Sequence, residues 1–156
     1  MKNTDFMRQA IQIAYDNTIN NNGGPFGAVV VKNGAIIAKG VNQVSGTNDP
    51  TAHAEIQAIR AACLSLGNFQ LTDCEIYSSC EPCPMCIGAI YWARPKAVYF
   101  ACSKEEAASI GFDDHFIYKE IATPINQRKI QMEKLIVSQY DLPFNIWKDS
   151  KEKKEY

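Results

Sequence analysis

Two short runs constrain this chain most: His53-Ala54-Glu55 and Pro82-Cys83-Pro84-Met85-Cys86. Each stands where a helix is expected to begin. Thr51 to Leu66 is rich in Ala, Ile, Glu and Gln and reads as a helix closed by Gly67. Cys83 to Ala93 reads as a second helix, with Pro82 and Pro84 at its start and Pro95 beyond its end. Two cysteines at this spacing in a helical first turn can turn their sulfurs the same way. The positive end of the helix stabilises their thiolates. A fold that brings the two helix starts together therefore gathers His53, Cys83 and Cys86 as metal donors. Three protein ligands leave zinc a fourth tetrahedral position for water, the arrangement of a catalytic site. Glu55, beside His53, is placed to carry protons for that water.

The rest of the chain supplies an α/β frame for these helices. Phe6, Ala10, Ile13, Ala14 and Asn17 follow helical spacing, with Asn3 or Thr4 as cap. Asn20 to Pro25 breaks that helix. FGAVVVKNGAIIAKGVN reads as two strands around Asn33-Gly34, a strong hairpin signal. Cys74 to Ser79 and Lys96 to Ala101 read as strands, Lys104 to Ile110 as a short helix, Ile130 to Val137 as a last strand and Pro143 to Lys154 as a last helix. Residues 113 to 129 carry no clear pattern. Strands alternating with helices give a layered α/β domain with a mixed sheet.

Length and composition narrow the setting. A chain of 156 residues with 46% hydrophobic residues fits one globular domain. The net charge of -1 gives no basic excess for a nucleic-acid backbone, so a small neutral substrate is expected, with neither nucleic acid nor membrane as partner. The start MKNTDFMRQA has no apolar run of signal-peptide type, and the six cysteines then read as those of a reduced, cytoplasmic protein. Taken alone, Cys83-x-x-Cys86 also suits a redox pair or a four-ligand structural zinc site, with Cys80, Cys102 or His115 as the fourth donor. A non-enzymatic zinc-binding module would keep the metal but have no need of Glu55.

The combined pattern H-x-E…P-C-x-x-C is a signature of zinc-dependent deaminases. The stretch from Gly23 to Phe100 resembles the cytidine deaminase-like superfamily, the CMP/dCMP-type deaminase domain. GGPFGAVVVKNGAIIAKGVNQV, DPTAHAEIQAIR and SSCEPCPMCIGAIYWARPKAVYF carry the resemblance. GFDDHFIYKEI at 111–121 and the terminal KKEY extend it to the small bacterial guanine-deaminating branch. The resemblance implies a three-layer α/β/α sandwich around a five-stranded mixed sheet. It implies one Zn²⁺ per subunit, a purine base as substrate, and hydrolysis of guanine to xanthine and ammonia. It also implies a homodimer in which C-terminal segments, about 101–156, are exchanged. A tRNA adenosine deaminase, or another nucleobase or nucleoside deaminase, is the nearest rival.

Candidate substrate contacts follow from chemistry and from that resemblance. Asn42 has the donor and acceptor needed to read a purine edge, and the family places a base-reading asparagine there. Phe26 has two readings, a stacking face or core packing. Trp92 likewise walls the pocket or packs. Asp114 holds the amine or relays a proton to ammonia; the alternative is a helix cap, for which Asp113 is better placed. Ala54 offers backbone at the helix start. Tyr156 is either part of a solvated tail or a lid that excludes water and ribose.

Overall fold

The computed structural model describes residues 4–156. Helix α1 spans Thr4–Ile19; the capping role considered for Asn3 lies outside the described residues. The hairpin follows as β1 (Gly27–Lys32) and β2 (Ala35–Val41). Its turn has φ 52° at Asn33 and 76° at Gly34, the pair of positive angles that Asn-Gly accommodates. A short helix α2 (Val44–Thr47) precedes α3 (Ala54–Leu66), which ends on Gly67 in the left-handed region at φ 60°. Then come β3 (Cys74–Cys80), α4 (Pro84–Ala93), β4 (Ala97–Cys102) and α5 (Lys104–Ser109). Ser103 and Glu106 close a reciprocal capping box at the start of α5.

The sheet has the order β2-β1-β3-β4. β1 runs antiparallel to both β2 and β3, and β4 runs parallel to β3, so the mixed sheet is as expected. Strand periodicity splits β1 between two cores. Ala28 and Val30 join Ala54, Ala58, Ala62, Ile76 and Ile90 on the face covered by α3 and α4. Val29, Val31 and Tyr77 pack with Ala10, Phe6 and Ile13 of α1 on the other. Both faces of β1 are therefore dry, and the described residues up to 114 form one compact unit of three layers.

Residues 115–156 form a second unit. It holds α6 (His115–Ala122), a 3-10 turn (Ile125–Gln127) and α7 (Leu142–Asp149). Arg128 closes the end of α6, donating from Nε to Thr123 O at 3.1 Å and from Nη2 to Ile121 O at 3.2 Å. Two expectations are corrected here. Ile130 to Val137 is not a strand, and the sheet has four strands rather than five among the described residues. The segment has the apolar content of a strand, but a strand exists only where a neighbour accepts its ladder of hydrogen bonds. The last helix also stops at Asp149, because Ser150 takes an extended ψ of 128°. No helix among the described residues is long and apolar enough to cross a membrane.

Candidate metal centre and base pocket

His53 and Cys83 occupy equivalent places, each the N-cap residue of its helix. Their backbones are extended, at φ/ψ -72/156° and -68/169°, and neither side chain caps its own helix. Both side chains are thus free to turn to one point, where Cys86 joins them from the first turn of α4. His53 Nδ1 lies 3.5 Å from Cys83 Sγ and 3.6 Å from Cys86 Sγ. All three donor atoms lie within 4.8 Å of one another. A tetrahedral zinc ion with bonds of about 2.0 Å to nitrogen and 2.3 Å to sulfur holds its N and S ligands roughly 3.5 Å apart. The donor set fits that ion.

The electrostatics agree. Cys83 is drawn down to about 4, first by its hydrogen bond with Cys86, then by His53, against the effect of burial. Cys86 moves up, because the adjoining Cys83 side chain, burial and the charge of Glu55 all favour its neutral thiol when no ion is bound. His53 is raised by its hydrogen bond with Cys83. Two thiolates so close repel, and a divalent cation between them removes the conflict.

Glu55 is buried on the first turn of α3. Ser78 Oγ donates to its Oε1 at 3.1 Å, and Cys86 Sγ to its Oε2 at 3.4 Å. Burial raises the carboxyl above its ordinary range. Cys80 does not join the donor group: its thiol is pushed up to about 12, chiefly by burial, and it donates to Ser103 O. Among the described residues the metal-ligating cluster is therefore His53, Cys83 and Cys86.

Asn42 stands at the end of β2, only 7% exposed. Its Oδ1 accepts from Gly24 N and Val44 N, each at 3.3 Å. This sharpens the expectation of a donor and acceptor pair: the acceptor is engaged by backbone, and Nδ2 is the end left to offer a ligand. Phe26 is half-buried against the core and meets Phe112 edge-on at 4.9 Å, so it packs in part. Ala54, fully buried, opens α3 between His53 and Glu55. Asp114 is raised by burial and by the negative charge of Cys83, which places it within electrostatic reach of the metal donors. Helix α6 begins at His115, directly after Asp114. Trp92 is 62% exposed in the last turn of α4, about 13 Å along the helix from Cys83. The structure does not bring it to the metal donors of its own unit. Tyr156 is 68% exposed at the end of the second unit.

Three supporting residues escaped the sequence reading. Ser78 holds Glu55, Ser79 Oγ accepts from Gly27 N at 3.0 Å, and Asn17 ties α1 to the Gly24 and Asn42 carbonyls. Asn17 alone left a signal, a polar residue on the inward face of an amphipathic helix.

The comparisons with known proteins accord with this geometry. Residues 1–102 match the family described as "Cytidine and deoxycytidylate deaminase zinc-binding region". The chain belongs to this family of zinc-binding deaminases. A guanine deaminase of Bacillus subtilis (strain 168) is 53% identical over 156 residues, all of each chain. An X-ray structure of guanine deaminase from Bacillus subtilis superposes with a TM-score of 0.97 at 53% identity, covering 100% of this chain and 99% of that one. A structure solved in complex with 2,6-diaminopurine gives a TM-score of 0.67 at 34% identity, covering 70% of this chain and 61% of that one. A tRNA-specific adenosine deaminase of Agrobacterium fabrum (strain C58) is 41% identical over 86 residues, 55% of this chain and 57% of that protein.

Proposed function

We propose that this chain catalyses the zinc-dependent hydrolysis of guanine to xanthine and ammonia, as a hydrolase of cyclic amidine C–N bonds. The observation that carries the reading is the reach of the likeness. One tRNA-deaminase relative matches 86 residues at 41% identity and another 132 residues at 34%, whereas the guanine deaminase relative matches all 156 at 53%, the segment after residue 114 included.

His53, Cys83 and Cys86 hold the ion. Bound there, zinc supplies Lewis-acid activation of a water molecule. The remaining work falls to side chains. Asn42 Nδ2 donates to an acceptor on the purine edge, and Phe26 borders the base. Glu55 accepts a proton from the attacking water at Oε2 and delivers it to a ring nitrogen. Water oxygen bonds to the carbon bearing the exocyclic amine. Glu55 then takes the remaining proton from the added hydroxyl and passes it to the exocyclic nitrogen; the C–N bond breaks with its electron pair on nitrogen, ammonia leaves, and the ring carbon becomes a carbonyl. Burial raises this carboxyl, which favours its holding a proton between the two transfers. Asp114, also raised, holds the departing amine.

The same reading makes the protein a homodimer with exchanged C-terminal segments, in which the partner's tail completes each base pocket. Two exposed apolar surfaces support it. In the second unit Ile130, Leu135 and Phe144 are 79%, 77% and 81% exposed. In the first, a groove of about 530 Å³ runs between α4 and β4, lined by Ile87, Ile90, Tyr91, Val98 and Phe100. Trp92 and Tyr156 belong to this reading as pocket wall and lid. It also places the protein in the cytoplasm, where thiols stay reduced; its cysteines are all free.

Ammonia release from guanine, guanosine, adenine, cytosine and cytidine tests the assignment. Guanine is expected to be the preferred substrate. Turnover of cytidine with none of guanine would refute it.

A further inference from the structure

The polar groups around Asn42 form a closed ring that starts on a different element. Asn17 lies on the inward face of α1 and is 4% exposed. Its Nδ2 donates to two carbonyls, Gly24 O and Asn42 O, each at 2.9 Å. Gly24 N in turn donates to Asn42 Oδ1 at 3.3 Å. The ring thus runs from Asn17 to Gly24, from Gly24 to the Asn42 side chain, and from the Asn42 backbone back to Asn17. Space around it is closed: a Cβ on Gly23 would overlap the Asn42 carbonyl oxygen and stand 3.1 Å from Asn17 Nδ2. A Cβ on Gly24 would meet the Asn42 amide and the Phe26 ring, both at 3.4 Å.

An asparagine side chain has a broad terminal torsion. Left to itself, the Asn42 amide would sample orientations that turn its donor away from a ligand. Here two backbone N–H groups fix which end is oxygen, and one of them, on Gly24, belongs to a residue whose carbonyl Asn17 holds. We propose that Asn17 is a positioning residue for base recognition: it locks the Gly23-Gly24 loop and the Asn42 backbone so that the Asn42 amide donor is oriented before the base arrives. Asn17 itself touches neither base nor metal. Prior ordering of this kind lowers the cost of binding rather than the barrier to chemistry. The proposal rests on the reading of Asn42 as the residue that meets the purine edge.

The test is a cycle of N17A, N42A and the double variant, measuring guanine kcat and KM with zinc content. Asn17→Ala is expected to keep one zinc per chain, leave kcat within about threefold and raise KM on the order of tenfold, the signature of lost binding. In the N42A background the same change is expected to add nothing to KM, because the group it orients is gone. Additive KM effects, or an unchanged KM in N17A, would overturn the positioning role while leaving Asn42 as the base reader. An unchanged KM in N42A would refute the base-reading role and Asn17's with it. If N17A fails to fold, N17L, which fills a similar volume and has no side-chain donor, takes its place in the cycle with the same criteria.

Discussion

Val29, Val30 and Ile76 in the first 114 residues are wholly buried, and β1 is dry on both faces. In residues 115–156, Ile130, Leu135, Ile136, Val137, Phe144 and Ile146 are all at least 62% exposed. The two regions have similar apolar residues and use them differently. The first buries those of its central strands and thereby fixes two helix starts and their donor atoms. The second presents a surface of the kind that marks an interaction site. The metal chemistry needs only the first region. On the proposed function, the choice of guanine over other amines is completed by the second.

That contrast can be broken most sharply at Glu55. Glu55→Gln is expected to retain zinc, because the ligands are untouched, and to lose about 10²–10⁴-fold in kcat. Metal analysis beside steady-state kinetics checks it; a Gln variant with full turnover would remove the proton shuttle from the account.

A smaller effect is expected in the second region. Ile136→Asp puts a charge on a side chain 67% exposed in the single chain. If exchange between subunits covers it, the variant shifts from dimer to monomer in light scattering, retains zinc, and loses guanine turnover on the order of tenfold or more. Removal of Tyr156 alone is expected to raise KM by a similar factor in an intact dimer. A variant at Ile136 that stays dimeric and active would show that the exposed apolar surface has another use.

The smallest effect concerns the frame rather than the site. Glu75 is held below its ordinary value of 4.5, first by the Tyr77 hydroxyl, which donates at 2.9 Å, and then by Lys96 at 3.3 Å. A carboxylate with a lowered native value stabilises the fold above its unfolded value, and this is lost as pH falls through the native one. Glu75→Gln should therefore lower Tm slightly at pH 7 and make it less dependent on pH below about 4.5. An unchanged acid slope would show that the contact contributes nothing.

How much of this was legible in the sequence depended on how local each cause is. The metal donors were legible because Cys83-x-x-Cys86 and His53-x-Glu55 are set by helix starts. The Asn33-Gly34 hairpin was legible for the same reason, since positive φ angles select those residues. The ring through Asn17 was hidden because its members lie on α1, a loop and the end of β2, and only packing brings them together. The strand expected at Ile130 to Val137 failed for a related cause. Its apolar pattern is local, but pairing needs a partner, and a single chain does not supply one.

The claim on which the rest depends is that one ion, held by His53, Cys83 and Cys86, drives guanine hydrolysis. Stripping the protein with a chelator and restoring zinc in steps tests it directly, with ammonia release followed against bound metal. The account predicts no turnover in the metal-free protein and a linear recovery that ends at one zinc per chain. Full guanine turnover in protein verified to be free of metal would contradict it.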